Sequence, residues 1–386
     1  MKRKQYKMFK WLLVLLVVSA CREPFIPPDI KSNTNYLVVD GFLNAGDSTT
    51  ITLSRTRNLG DSVPASPELN AQVSVLGEFG ESFLLNGDGN GHYIANTLLL
   101  STTERYRLQI LTSDGKKYLS DSVAVATTPP IDSISWKQDT SSASNKLGVT
   151  VYANTHDPLN NTRYYRWEYA ETWQYHTPYY SDFYYDGTQV VQRTPAEIVY
   201  NCWRSAQSTS LLLASSASLN QDVIFEKPIF FIPVGDQRLQ VKYSILVKQF
   251  ALTREAYEYW ENLKKNTELT GSIFDPQPSQ MNGNLHCVTN PDEVVLGYIG
   301  ASTAQSQRIF IDNNSTAHWG FIESPQGCVE IAIPLDSVNY YFKSFIYIPT
   351  SALPSPPRPP GWFASTKACV DCTLQGGINV KPAFWP

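Results

Sequence analysis

The sequence lacks the common catalytic signatures. It has no Gly-x-Ser-x-Gly elbow, no His-Glu-x-x-His pair and no phosphate-binding glycine loop. Histidine is limited to 5 residues, none spaced around the cysteines as metal ligands would be, so a zinc-type cluster is disfavoured. There is no basic excess, with 31 Lys and Arg against 35 Asp and Glu, so no face is set up to offset nucleic-acid phosphate. No repeat of solenoid length occurs. Neither enzymatic activity nor a cofactor is expected.

Methionine is scarce at 3, whereas Tyr reaches 22 and Trp 9, a composition that suits pleated surfaces and interfaces. The chain opens on Lys2, Arg3, Lys4, Lys7 and Lys10, then the apolar run Trp11 to Val18, then Ser19-Ala20-Cys21. That layout is a secretory signal, too short in its apolar part for a membrane span of roughly 20 residues. Val18-Ser19-Ala20-Cys21 is similar to a bacterial lipobox, in which Cys21 is acylated and becomes the first mature residue. Multiple acyl chains anchor a protein stably in a membrane. Residues 1–20 are thus read as signal. Residues 21–35, with Pro24, Pro27 and Pro28, form a stiff tether.

The mature chain is too long for one typical domain of roughly 100 to 200 residues. From Tyr36 short strands alternate with turns: Val73 and Val75, then Tyr106, Leu108 and Ile110, recur with period two. Asp114-Gly115 marks a hairpin. Residues 36–126 are expected to form an Ig-like or transthyretin-like β-sandwich. Thr127-Thr128-Pro129-Pro130 is the expected hinge, because two prolines stop helix and central-strand pairing alike. Residues 131–386 are expected to form a larger β-rich domain, a second sandwich with one inserted helix at 253–265 and a disulfide-stapled tail. The fold class is mainly β. In the helix, Thr253 is the cap, Leu252 and Tyr257 are placed as a staple, and Glu261 with Lys265 forms a four-apart pair. Strands are also expected over Val294 to Ile299, Arg308 to Asp312, Gly327 to Ile333 and Tyr340 to Ile348.

Six cysteines occur. Once Cys21 carries lipid, five remain. In an exported chain the pair Cys369 and Cys372 is better read as structural than as redox-active, since no βαβ pattern surrounds it. Cys202 and Cys328 are expected to join Cys369 and Cys372 in either order with Cys287 free; pairing of Cys287 with Cys328 is the rival. Asn86 to Gly91 resembles half of a Ca²⁺ loop but lacks its closing Glu, so a hairpin turn is expected. His156-Asp157-Pro158 reads as a turn start. Tyr165, Trp167 and Tyr169 share a strand face and are expected in the core. Trp173, Tyr175, Tyr179, Tyr180, Phe183, Tyr184 and Tyr185 are the candidates for a surface that meets a partner or stacks on sugar rings.

Several features together resemble the Bacteroidota lipoprotein family catalogued as domain of unknown function 4249. They are the lipobox cysteine, the strand Leu37 to Gly41, Cys202-Trp203, Gly297-Tyr298, and the ending Cys369-Val370-Asp371-Cys372 through Gly376-Gly377 to Lys381-Pro382 and Phe384-Trp385. Ala383 stands where an acidic residue would be expected. The resemblance implies an outer-membrane lipoprotein associated with a TonB-dependent receptor in nutrient uptake; the face, periplasmic or cell-surface, is left open with the surface slightly favoured. It implies no catalytic residue. A directly glycan- or peptide-binding surface protein, and a structural envelope-assembly factor, are the other expectations. If Cys21 is the lipidated residue, Cys21→Ala should abolish labelling by a palmitate analogue and shift the protein from the membrane to the soluble fraction; retained labelling would overturn the assignment.

Overall fold

A computed structural model describes residues 35–57, 66–141, 144–268, 283–316, 327–354 and 360–386. The described elements lie in one compact unit, Tyr36–Thr56 with Val63–Pro386. The signal segment, Cys21 and the tether up to residue 34 lie outside the described residues. The protein is mostly β, arranged in several sheets.

The period-two segments form strands as expected. In Arg105–Leu111 the buried residues are Tyr106, Leu108 and Ile110, alternating with outward Arg and Gln. The hairpin to Lys117–Ser120 turns at Gly115, whose φ of +84° favours glycine. The Asn86 to Gly91 stretch likewise joins Ser82–Gly87 to His92–Ala95, with the Asp88 carboxylate accepting the backbone N–H of Asn90 and His92.

The first core does not close with residues 36–126 alone. Leu37–Gly41 pairs antiparallel with Thr49–Arg55 and parallel with Val295–Gly297. Lys117–Ser120 pairs with Leu285–Cys287, and Val125–Ala126 runs parallel to Ala301–Ser302. Leu285, Cys287, Val295, Ile299 and Ala301 consequently sit in the same buried cluster as Leu37, Ile51, Tyr106 and Tyr118. The boundary drawn between 126 and 131 is therefore crossed by sheet pairing. Contiguity along a chain does not reveal which distant segment satisfies the backbone groups of an edge strand. Gly297 shows the local demand: a Cβ there would stand 2.1 Å from the Val39 carbonyl oxygen.

The second core lies between two sheets. In one, Tyr164–His176 is flanked by Asn201–Gln207 and Leu212–Ser215 on one side and Lys242–Ala251 on the other, with Ala301–Asp312 beyond. The other comprises Ile131–Thr140, Leu147–Asp157 and Asp222–Pro233. Tyr165, Trp167 and Tyr169 are buried in the cluster these sheets share, as expected. Ala301–Asp312 belongs to both halves: it begins parallel to Leu43–Ala45 and continues antiparallel to Lys242–Ala251.

The expected hinge is instead a pinned crossing. Thr128 and Pro129 are buried. The Thr128 backbone N–H donates to Thr303 Oγ1 at 2.9 Å and its hydroxyl donates to the Thr303 carbonyl oxygen. Gln249, fully buried, donates to the Pro129 carbonyl oxygen at 3.0 Å and to Thr155 Oγ1 at 2.9 Å, and accepts from Trp167 Nε1 at 2.9 Å.

The helix spans Arg254–Glu268. Thr253 Oγ1 accepts from the Ala256 N–H, Glu261 and Lys265 pair at 3.0 Å, and Ala256 and Trp260, four apart, bury one face. The segment expected as one strand from Tyr340 to Ile348 divides into a helix, Val338–Phe342, and a strand, Tyr347–Ala352. Val338 and Phe342, one helical turn apart, are the buried positions, so the apolar spacing serves a helix there.

Replacing Gln249 with Leu leaves the Trp167 N–H, the Pro129 carbonyl and the Thr155 hydroxyl without this partner in a dry interior. Urea unfolding should show a loss of about 2–4 kcal/mol, since each stranded buried group costs about 1–3 kcal/mol.

Candidate functional site

The aromatic stretch was the sequence-level candidate for a contact surface, and the structure buries three of its seven rings, half-buries Tyr179, Phe183 and Tyr184 and exposes Tyr180. Trp173, Tyr175 and Tyr185 are buried, which removes them as surface contacts. Tyr175 donates its hydroxyl to the Cys372 carbonyl oxygen at 2.7 Å, and Tyr185 donates to Asn339 Oδ1 at 3.0 Å. Phe183 packs edge-on to Trp362, Tyr184 lies under Arg193, and the Tyr179 backbone N–H donates to the Cys369 carbonyl. Tyr180 is the one of the seven that is largely exposed, at 45%. The three buried rings were misassigned because their partners are remote in sequence: Trp173 and Tyr175 join the core shared by the two sheets, and Tyr185, on a strand paired with Val190–Gln192, joins a small core with Ile333, Phe342 and Ala364.

The tail motif is also structural. Disulfides join Cys202 to Cys372 and Cys328 to Cys369, and Cys287 is free and buried, so the rival pairing of Cys287 with Cys328 does not occur. Trp203 and Ile378 exchange two backbone hydrogen bonds of 2.9 Å, and the Trp385 ring meets Trp203 and Phe310 edge-on. A Cβ at Gly377 would lie 2.2 Å from the Tyr175 hydroxyl, so the Gly376-Gly377 step lets the tail run against the sheet. Cys202-Trp203 and the Cys369-to-Trp385 ending, far apart in sequence, are thus two sides of one docking seam.

A cleft of about 640 Å³ lies elsewhere, between the 40–52 segment and the 166–170, 207–211 and 246–260 segments. On its lining is Arg166, a cation set in the aromatic strand Tyr164–His176 and only 7% exposed. Its guanidinium lies 5.0 Å from the Phe42 ring, 4.9 Å from Phe250 and 5.0 Å from Trp260. Such contacts are stronger when water is excluded. Arg166 Nη2 pairs with Glu168 Oε1 at 2.9 Å. Desolvation pushes Arg166 below its usual value, and the charges of Glu168 and Asp40 oppose that shift.

Three buried polar atoms on this lining have no hydrogen-bond partner among the described residues: Arg166 Nε, Trp260 Nε1 and Asn44 Oδ1. Lys248, also on the lining, donates to Asp47 Oδ2 at 2.7 Å, joining the two sides of the cleft. Burial pushes the Tyr169 hydroxyl up to about 12, so it stays a neutral phenol at physiological pH. Ser and Thr side chains at 48, 50, 52 and 208–210 complete a polar wall. Such a cleft can hold a small polar ligand by ionic and hydrogen-bonding contacts. Sequence reading passed over Arg166, although a lone arginine between Tyr165 and Trp167 in a core strand was a usable signal: buried cations require partners.

The other sequence candidates are not gathered here. His156 Nδ1 sits 2.8 Å from Asp132 on an exposed strand face, and the Asp157 carboxylate accepts the N–H groups of Leu159, Asn161 and Thr162, as a turn start should. Among the described residues no group of three or more His, Cys, Asp and Glu side chains is placed to hold a metal.

The molecule is therefore a β-rich protein with a disulfide-docked tail and a polar cleft. The family model described as "Domain of unknown function (DUF4249)" matches residues 23–308, and the chain belongs to that family. No curated protein matches it. Among solved structures, it is similar over 55% of its length to a DUF4785 family protein from Legionella pneumophila. That match has 11% identity and a TM-score of 0.16 and covers 50% of that chain, too slight a likeness to carry an argument.

The docking seam makes a direct prediction. Replacing both Cys202 and Cys372 with Ala should lower stability by about 2–5 kcal/mol in urea unfolding, the usual cost of losing a native disulfide. It should also expose the 370–386 segment to limited proteolysis; an uncut tail at native stability would contradict the seam.

Proposed function

We propose that this chain is a non-enzymatic, lipid-anchored outer-membrane protein that works beside a TonB-dependent transporter in nutrient uptake. The observation that carries the reading is the pair of disulfides holding the tail. Structural disulfides belong to oxidising compartments, which agrees with the export expected from the basic start, the short apolar run and Cys21. The resemblance drawn from the lipobox and tail motifs, which lie outside the residues 23–308 matched by the family model, supports the same reading.

Direct capture of a small ligand is the second reading, favoured by the cleft at Arg166. Its volume lies within the range of small-molecule sites, about 300–1,000 Å³. The two readings are compatible, since a transporter partner can deliver or receive what the cleft holds.

Pull-down of the tagged full-length protein from outer membranes in mild detergent should recover a TonB-dependent receptor in near-stoichiometric amount. Recovery of this protein alone, under conditions that preserve a known receptor–lipoprotein complex, would reject the transporter reading.

A further inference from the structure

The sheet face turned away from the first core carries cations that the described residues do not match. Tyr106, Leu108 and Ile110 point inward from Arg105–Leu111, so Arg105, Arg107, Gln109 and Leu111 point outward. The register extends that face across four strands. Leu76 lies opposite Arg107, Leu84 and Gln109 lie on either side of Ser74, and Leu119 and Lys117 lie opposite Gln109 and Leu111. Arg105, Arg107, Lys117, Leu76 and Leu119 line a shallow groove of about 340 Å³ here, with Glu78 as its one acidic side chain. Arg105 donates to the Ser122 carbonyl oxygen, but none of the three cations has a carboxylate within ion-pair distance among the described residues. Asp121, which follows Lys117–Ser120, is paired instead with His286 at 3.2 Å.

Elsewhere on strands the usual arrangement is a pair, as in Lys242 with Asp312 and Lys248 with Asp47. The unpaired group also runs against the composition, since residues 21–386 hold 26 Lys and Arg against 35 Asp and Glu. A merely solvated face would set its cations among polar neighbours. Here they are interleaved with leucines, of which Leu84 is 57% exposed and Leu111 39%. Cations and exposed aliphatic side chains on one face match a surface that offers negative charge with an apolar layer just beneath it, which is a bilayer with anionic headgroups. A free phosphate or an acidic peptide would engage the cations and leave the leucines in water. The point where the chain enters the described unit agrees. Tyr36 exchanges hydrogen bonds with Thr56, Arg55 lies 3.7 Å from Glu293, and Glu293 pairs at 2.7 Å with Lys116, the neighbour of Lys117. The cationic face therefore begins close to Tyr36. Only 14 residues separate Tyr36 from Cys21, a reach of at most about 50 Å.

We propose that this outward sheet face is a second membrane contact: it lies on anionic phospholipid headgroups, with Arg105, Arg107 and Lys117 at the lipid phosphates and Leu84 and Leu111 at the acyl boundary. The inference rests on the lipid-anchored reading and deepens it, because the acyl chains fix the protein to a membrane whereas the face sets which side of the first core is turned toward it. It requires no transporter partner.

The test places a fluorophore on the face of the full-length lipidated protein, reconstituted in phosphatidylethanolamine vesicles with and without phosphatidylglycerol. Leu84→Cys is labelled with a polarity-sensitive dye; Cys287 is buried and Cys202, Cys328, Cys369 and Cys372 are closed in disulfides, so the label goes to the new thiol. Phe225→Cys, on the strand Asp222–Pro233 and 75% exposed, carries the reference label. In phosphatidylglycerol vesicles, brominated acyl chains should quench the label at 84 at least about twofold more than the label at 225. Adding Arg107→Gln with Lys117→Gln should remove most of that difference. So should about 1 M salt, where the screening length falls to about 3 Å, and the salt arm needs no further variant to fold. Equal quenching at 84 and 225, as expected if water or a protein partner covers the face, would overturn the proposal, as would a difference untouched by salt and by the double substitution. Flotation of the same samples reads the anchor separately: protein that fails to float with the vesicles rejects the lipid-anchored reading itself, and this proposal with it.

Discussion

The side chain of Gln249 adds buried hydrogen bonds between parts of the molecule that also share a core. It reaches the Pro129 carbonyl in the crossing segment, Thr155 in the three-stranded sheet and Trp167 on the neighbouring strand. Thr128 extends the knot to Thr303 and to the Ala251 N–H. In a dry interior these groups have no water to fall back on, so the geometry that satisfies them is strongly preferred over its neighbours. Two consecutive prolines, which by themselves imply a break between domains, here deliver a carbonyl to the knot.

The cleft depends on the same arrangement. Phe42 comes from the first core's connection between strands, Phe250 from the residue after Gln249, and Trp260 from the buried face of the helix. Holding three rings around one guanidinium requires all three segments to be fixed. The rings supply favourable faces for the cation but no hydrogen-bond acceptors in their planes, which leaves the buried Nε–H without a partner among the described residues.

The tail shows reactive residue types put to a purely structural use. Cysteine, tryptophan and paired glycine in a short ending could signal redox or ligand chemistry. Here the sulfurs are closed in two disulfides, Trp385 packs against Trp203 and Phe310, and Gly377 gives way to the Tyr175 hydroxyl. The tail motifs that carry the sequence resemblance are parts that dock the end of the chain onto its body.

Period-two burial in Arg105–Leu111, the hairpin glycine at 115 and the capped helix after Thr253 were written locally, since strand alternation, positive φ and capping are decided within a few residues. The thiol count showed that one of five cysteines would be left over, and the structure decided that it is Cys287. Only the tertiary structure decided that 285–301 completes the first core and that Thr127 to Pro130 is pinned. It also decided that Tyr175 and Tyr185 face inward and that Arg166 meets Phe42, Phe250 and Trp260. Each of those outcomes joins residues far apart in the chain, and a residue's type limits what it can contact without specifying which distant partner reaches it first.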